Sequence, residues 1–136
     1  MSNEKLYTGS CLCGGIRYEI QGEIGEVLYC HCKRCRKANG TAFATNAPIQ
    51  KADFKIVQGE QLLKKYQSSE TTQRCFCGEC ASPIISIKTD TPDTYRLRIG
   101  TLDTPLEHKP TKHIFTAYKA EWDTICDGLP QYDERP

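Results

Sequence analysis

Eight of the nine cysteines in this 136-residue chain fall in three short clusters: Cys11/Cys13, Cys30/Cys32/Cys35 and Cys75/Cys77/Cys80. No other feature constrains the fold as strongly, because shared metal ligands tie distant segments together. In C-x-C on an extended segment, residues i and i+2 point to the same face, so both sulfurs can reach one ion. In C-x-x-C the intervening pair makes a tight turn with the same result. Gly14 and Gly78 beside these residues are expected to let the turns take positive φ without a Cβ clash.

Composition decides how the cysteines are read. The start, Met1-Ser2-Asn3-Glu4-Lys5, leads into polar residues without an apolar stretch, so no secretory signal is expected and the cytoplasm is the default location. No apolar run approaches the roughly 18 residues needed to cross a bilayer, so no membrane partner is expected. In a reducing compartment, clustered cysteines indicate metal or catalysis rather than disulfides, and an odd count cannot pair fully within one chain. A net charge of +1 gives no global attraction to nucleic acid. The length fits one domain over residues 1–136.

Short alternating runs separated by turn residues predict a mainly β chain, a small barrel or small stacked sheets, with one brief helix. Strands are expected at Ile16–Ile20, Val27–Cys30, Thr41–Thr45, Phe54–Val57, Leu62–Tyr66, Pro83–Lys88, Tyr95–Ile99 and His113–Ala117. Lys33 to Asn39 predicts about two helical turns stopped by Gly40. Thr89–Asp93 and Asp103–Pro105 read as loops.

Zinc takes four ligands in a tetrahedron with sulfurs about 2.3 Å from the ion. Pairing Cys11/Cys13 with Cys77/Cys80 closes a four-thiolate site that staples the start of the chain to its middle. Cys30, Cys32 and Cys35 supply three thiolates and leave a fourth position open, as catalytic zinc requires, unless Cys75 fills it and makes the site structural. Cys126 reads as a packed free thiol near Trp122 and Ile125. His31 either exchanges a proton near the metal or points away. Lys33, Arg34, Arg36 and Lys37 favour thiolate and attract an anion, or else form a solvated basic turn.

These residues resemble the glutathione-dependent formaldehyde-activating enzyme family, also called the centromere protein V/formaldehyde-activating domain family. The resemblance is carried by Gly9-Ser10-Cys11-Leu12-Cys13-Gly14-Gly15-Ile16-Arg17-Tyr18, by Cys30-His31-Cys32-Lys33-Arg34-Cys35-Arg36-Lys37 and by Arg74-Cys75-Phe76-Cys77-Gly78-Glu79-Cys80. Tyr66-Gln67-Ser68-Ser69, His113-Ile114-Phe115, Trp122–Ile125 and Asp127–Pro130 extend it over most of the chain. Ala81 stands where a glycine commonly follows the second ligand pair. The resemblance implies a single zinc-binding domain over residues 1–136, its core spanning about residues 7–130, built as a β-tent of small sheets with two zinc ions. Cys11, Cys13, Cys77 and Cys80 would hold the structural ion, and Cys30, Cys32 and Cys35 the catalytic, more labile one. It implies a carbon–sulfur lyase acting on glutathione or a related thiol adduct such as S-hydroxymethylglutathione. Lys33, Arg34, Arg36 and Lys37 are candidate partners for glutathione carboxylates on electrostatic grounds. The competing reading is a non-catalytic zinc module for a protein or nucleic-acid partner. The near-neutral charge disfavours nucleic acid, and oligomeric state is left open.

Overall fold

The computed structural model describes residues 5–136; the reading of the chain start as free of a signal falls largely on Met1–Glu4, outside the described residues. The fold is mainly β, as expected. Strands β1 (Leu6–Ser10), β2 (Arg17–Gln21) and β5 (Phe54–Gln58) form a three-stranded antiparallel sheet in the order β1-β2-β5. A seven-stranded sheet runs β10 (His113–Ile114), β3 (Leu28–Cys30), β4 (Ala44–Gln50), β9 (Thr91–Arg98), β8 (Pro83–Lys88), β7 (Thr72–Cys77), β6 (Leu63–Gln67). All its pairings are antiparallel except β10 with β3.

The apolar face of the large sheet packs against the small one. Tyr18 and Ile20 from β2 meet Ala47, Ile49, Cys75, Ile85 and Leu97 in one buried cluster. Each fully buried Ile or Leu contributes about 1.5–3 kcal/mol, so this cluster is the main source of stability. Strand alternation sends the intervening residues to the opposite face. There Asn46 opposes Arg98, while Arg96 opposes Ser86, which in turn opposes Arg74. One sheet therefore has an apolar side and a side of buried polar groups.

Helix α1 (Lys33–Asn39) has the expected bounds. Cys32 is its N-cap, accepting from the Cys35 N–H at 3.3 Å, and Gly40 closes it at φ +66°, its N–H donating to the Arg36 carbonyl at 2.7 Å. Three expectations shift. The strand placed at 41–45 runs instead from Ala44 to Gln50, passing through Pro48. Proline is tolerated there because β3 pairs only as far as Asn46, so β4 is locally an edge. The loop expected at Thr89–Asp93 shrinks, because β9 begins at Thr91. The strand expected at His113–Ala117 ends at Ile114, since Phe115 takes φ +57°. Strands β1 and β7 were not foreseen; β7 buries Thr72, Cys75 and Cys77 rather than an aliphatic stripe. Among the described residues no helix is long and apolar enough to cross a membrane.

Candidate metal centres and an arginine-lined cavity

The first centre joins two segments. Cys11 and Cys13 follow β1, while Cys77 ends β7 and Cys80 follows it. The four sulfurs lie within 4.8 Å of one another, with Cys11–Cys13 at 3.5 Å and Cys13–Cys77 at 3.9 Å. A tetrahedron with arms of about 2.3 Å has edges of about 3.8 Å, so this donor set fits zinc. Backbone N–H groups point at the sulfurs: Ile16 to Cys11 at 3.2 Å, Gly15 to Cys13 at 3.4 Å and Glu79 to Cys77 at 3.4 Å. Such donors stabilise thiolate over thiol. At Cys80 a hydrogen bond with the Ser82 hydroxyl is the main cause of a pKa drawn down to about 5.

The turns differ from expectation in one respect. Gly14 has φ +76°, as foreseen, but Gly78 is not in the left-handed region. A Cβ at Gly78 would stand 2.8 Å from Lys64 Cε, so glycine serves close approach there instead. The left-handed residue of that turn is Ala81, φ +67°, whose N–H donates to the Cys77 carbonyl at 2.8 Å. Ala81 thus holds a left-handed backbone that glycine takes more readily, at a steric cost.

The second centre is local. Cys30 closes β3, Cys32 caps α1 and Cys35 lies in its first turn, and their sulfurs also lie within 4.8 Å of one another. Crowding separates their protonation. Cys32 is held well below the usual thiol range, chiefly by hydrogen bonds from Cys30 and Cys35. Cys30 is pushed far up, chiefly by its bond to Cys32, then by Cys35 and by burial. Three thiolates together need a cation, and a divalent metal of thiophilic character fits.

Cys75 is not part of either cluster. It sits in the core cluster at 1% exposure, opposite Ile85 on β8, and burial raises its pKa. Alternation along β7 decides this: Cys75 faces the core, while neighbouring Arg74 faces the second centre, its Nη2 3.9 Å from Cys35 Sγ. Cys126 is exposed, which corrects the packed-thiol expectation; all nine cysteines are free. His31 is fully buried and turned away, its Nε2 2.8 Å from His113 Nδ1, and His113 Nε2 lies 2.8 Å from Asp127 Oδ2. Burial lowers the His31 pKa, and the nearby His113 adds to the effect. This chain of three side chains secures β3 to β10 and to the segment after residue 126.

A cavity of about 350 Å³ opens beside Cys30, Cys32 and Cys35, and its floor is the polar face of the large sheet. Asn46, Ser86, Arg74, Arg96 and Arg98 line it. Of the four basic residues flagged in the helix segment, only Arg34 does so. Lys33 and Lys37 face an outer groove with Phe115 and Tyr118, and Arg36 faces another beside Trp122. The sheet arginines were missed, although Thr94, Arg96 and Arg98 alternating with Tyr95 and Leu97 carried the signal.

A mainly β chain carries two cysteine clusters that could hold metal ions, one joining distant segments and one beside a cationic cavity. The chain belongs to the glutathione-dependent formaldehyde-activating enzyme family, whose profile matches residues 6–118. A Halomonas elongata protein named "Putative glutathione-dependent formaldehyde-activating enzyme" is 28% identical over 128 residues, covering 88% of this chain and 81% of its own. A Schizosaccharomyces pombe protein named an uncharacterized lyase is 29% identical over 89 residues, 65% of this chain and 63% of its own. In structure, a crystallised Rhodobacter sphaeroides protein is similar with a TM-score of 0.62 at 24% identity, covering 74% of this chain and 91% of that one. That likeness concerns the fold.

Proposed function

We propose that the chain is a single zinc-binding domain that works as a carbon–sulfur lyase on an adduct of a small thiol with an aldehyde. The adduct is of the S-hydroxymethylglutathione type. Cys11, Cys13, Cys77 and Cys80 hold a structural zinc, and Cys30, Cys32 and Cys35 hold a second zinc for catalysis. The observation that carries the reading is the three-sulfur cluster at the wall of a cavity, with Cys75 turned into the core rather than completing it. Family membership and the lyase-named relative support the reaction class.

A zinc held there would supply Lewis acidity and lower the pKa of a thiol brought beside it. In the lyase direction the adduct's hydroxyl loses its proton and its C–O bond becomes C=O. The C–S bond breaks, its electron pair stays on sulfur, and a proton returns to that sulfur. The chain's own residues bind and orient. Arg74 stands next to Cys35 and faces the developing negative charge on sulfur. Arg34, Arg96 and Arg98 hold carboxylates by paired N–H donors. Nine free thiols suit a reducing compartment, and we place the reaction in the cytoplasm.

The test is cobalt substitution followed by titration with glutathione and with glutathione plus formaldehyde. The expected result is two cobalt ions per chain and a shift in the absorption of one of them when thiol is added. A single metal ion per chain, or a spectrum indifferent to millimolar thiol, would overturn the reading.

A further inference from the structure

The cavity beside the second centre carries more positive charge than three thiolates need. Arg34, Arg74, Lys88, Arg96, Arg98 and Arg135 line it, and among the described residues no aspartate or glutamate does. Three thiolates on one divalent ion leave a net charge of about −1, against six cationic side chains in the lining. None of the six belongs to an ion pair among the described residues. Burial lowers the pKa of Lys88 and Arg96, with repulsion from Arg135 adding to it; Asp90 on the β8–β9 turn opposes this but stays outside the lining.

Hydrogen bonding points the same way. Arg98 is 5% exposed, and its Nε has no partner; Arg74 Nη1 and Arg96 Nη1 are likewise buried and unpaired. An unpaired buried donor costs about 1–3 kcal/mol, and more when charged. Water could fill single N–H positions, but it would leave the repulsion among the cations in place. The neutral amide of Asn46, whose Oδ1 is also unpaired, can serve an amide N–H of a ligand.

We infer that, among small-thiol compounds of the S-hydroxymethylglutathione type, this cavity binds most tightly those with two or more anionic groups and no free ammonium, held on the sheet by Arg74, Arg96 and Arg98 and at the rim by Arg34 and Arg135. The inference rests on the cysteine trio as the thiol centre but narrows the substrate. Glutathione brings two carboxylates together with an ammonium, and that ammonium finds six cations and no acid in the lining. A thiol whose amine is acylated or absent keeps the anionic contacts without that repulsion.

The test uses two thiol-free probes that differ at one group, S-methylglutathione and N-acetyl-S-methylglutathione, measured by calorimetry on the zinc-loaded protein. The acetylated probe is expected to bind about tenfold more tightly or better, with the advantage shrinking at about 0.5 M salt. Arg96→Gln and Arg135→Gln are each expected to weaken it about tenfold and to narrow the gap. Arg135 is exposed, so its variant keeps the test open if Arg96→Gln fails to fold. Equal binding of the probes, tighter binding of the free amine, or no binding of either overturns the inference. The cobalt titration reads the thiol centre separately. A cobalt response without discrimination between the probes leaves that centre standing and removes the charge selection. Discrimination without a cobalt response keeps the charge selection for an anionic ligand but overturns its assignment to a thiol compound.

Discussion

The two cysteine clusters present the same atoms in different settings. Cys11/Cys13 and Cys77/Cys80 come from segments more than 60 residues apart, and the core cluster includes Cys11 and Cys77 with Cys80 packed against it. Cys30, Cys32 and Cys35 come from one short segment, pack in a separate small cluster, and face a cavity. Ligands drawn from distant segments make the metal part of the folding equilibrium, whereas ligands from one strand–helix junction leave the fold able to form before the metal arrives. A fourth thiolate closes the first centre; the second lacks one.

The strongest way to break this contrast is to remove one ligand from each side. Cys77→Ser is expected to lose several kcal/mol, a large part of a domain's ~5–15 kcal/mol, and to give little soluble folded protein at 37 °C. Cys32→Ser is expected to keep the far-ultraviolet circular dichroism of the parent and lose lyase turnover about 100-fold or more. Comparable unfolding in both variants would erase the distinction. A mild chelator sharpens it: one zinc should leave quickly with the fold intact and the other should leave only on unfolding, as metal analysis beside circular dichroism would reveal.

Cys75 provides the next test, because it belongs to neither cluster. Cys75→Ser buries a hydroxyl among Ile85 and its neighbours and is expected to cost about 1–3 kcal/mol. The cobalt spectrum of both centres should be unchanged; a changed spectrum would return this thiol to the second centre. A smaller effect concerns acid. The pKa of buried His31 lies below its ordinary 6.5, so the unfolded chain binds the proton more readily. The stability this gives is complete above about pH 6.5 and declines as pH falls through the lowered value. Melting temperatures of the parent and His31→Gln should converge on acidification, with zinc content followed in parallel so that metal loss is distinguished from imidazole protonation. The mildest change is Ala81→Gly. Relief of a left-handed alanine, about 1–2 kcal/mol, less the unfolded-state entropy of glycine, about 0.5–1 kcal/mol, should raise stability by about 0.5–1 kcal/mol in urea titration.

The three cysteine clusters and the pairing of Cys11/Cys13 with Cys77/Cys80 were legible from spacing, as were the bounds of α1, because ligand geometry and helix stops are local properties. Cys75 was not legible: whether it joins Cys30, Cys32 and Cys35 depends on which face of β7 it occupies, and β7 itself was not foreseen. The cavity arginines were hidden for a related reason. Lys33 to Lys37 draw the eye as a continuous basic run, yet a helix scatters such residues around its surface and only Arg34 reaches the cavity. Arg74, Arg96 and Arg98 are spread through the sequence and converge only when β7, β8 and β9 pair.

The two-sided sheet has an evolutionary consequence. Arg96 and Arg98 bracket Leu97, and Arg74 precedes Cys75, so the groups that line the cavity and those that pack the core alternate on the same strands. The cavity floor and the hydrophobic interior are separated by a single backbone thickness. New substrate preferences are therefore easier to reach from the rim, at Arg34 or Arg135, than from the floor. A lineage that changes its floor arginines must also renegotiate the packing beneath them.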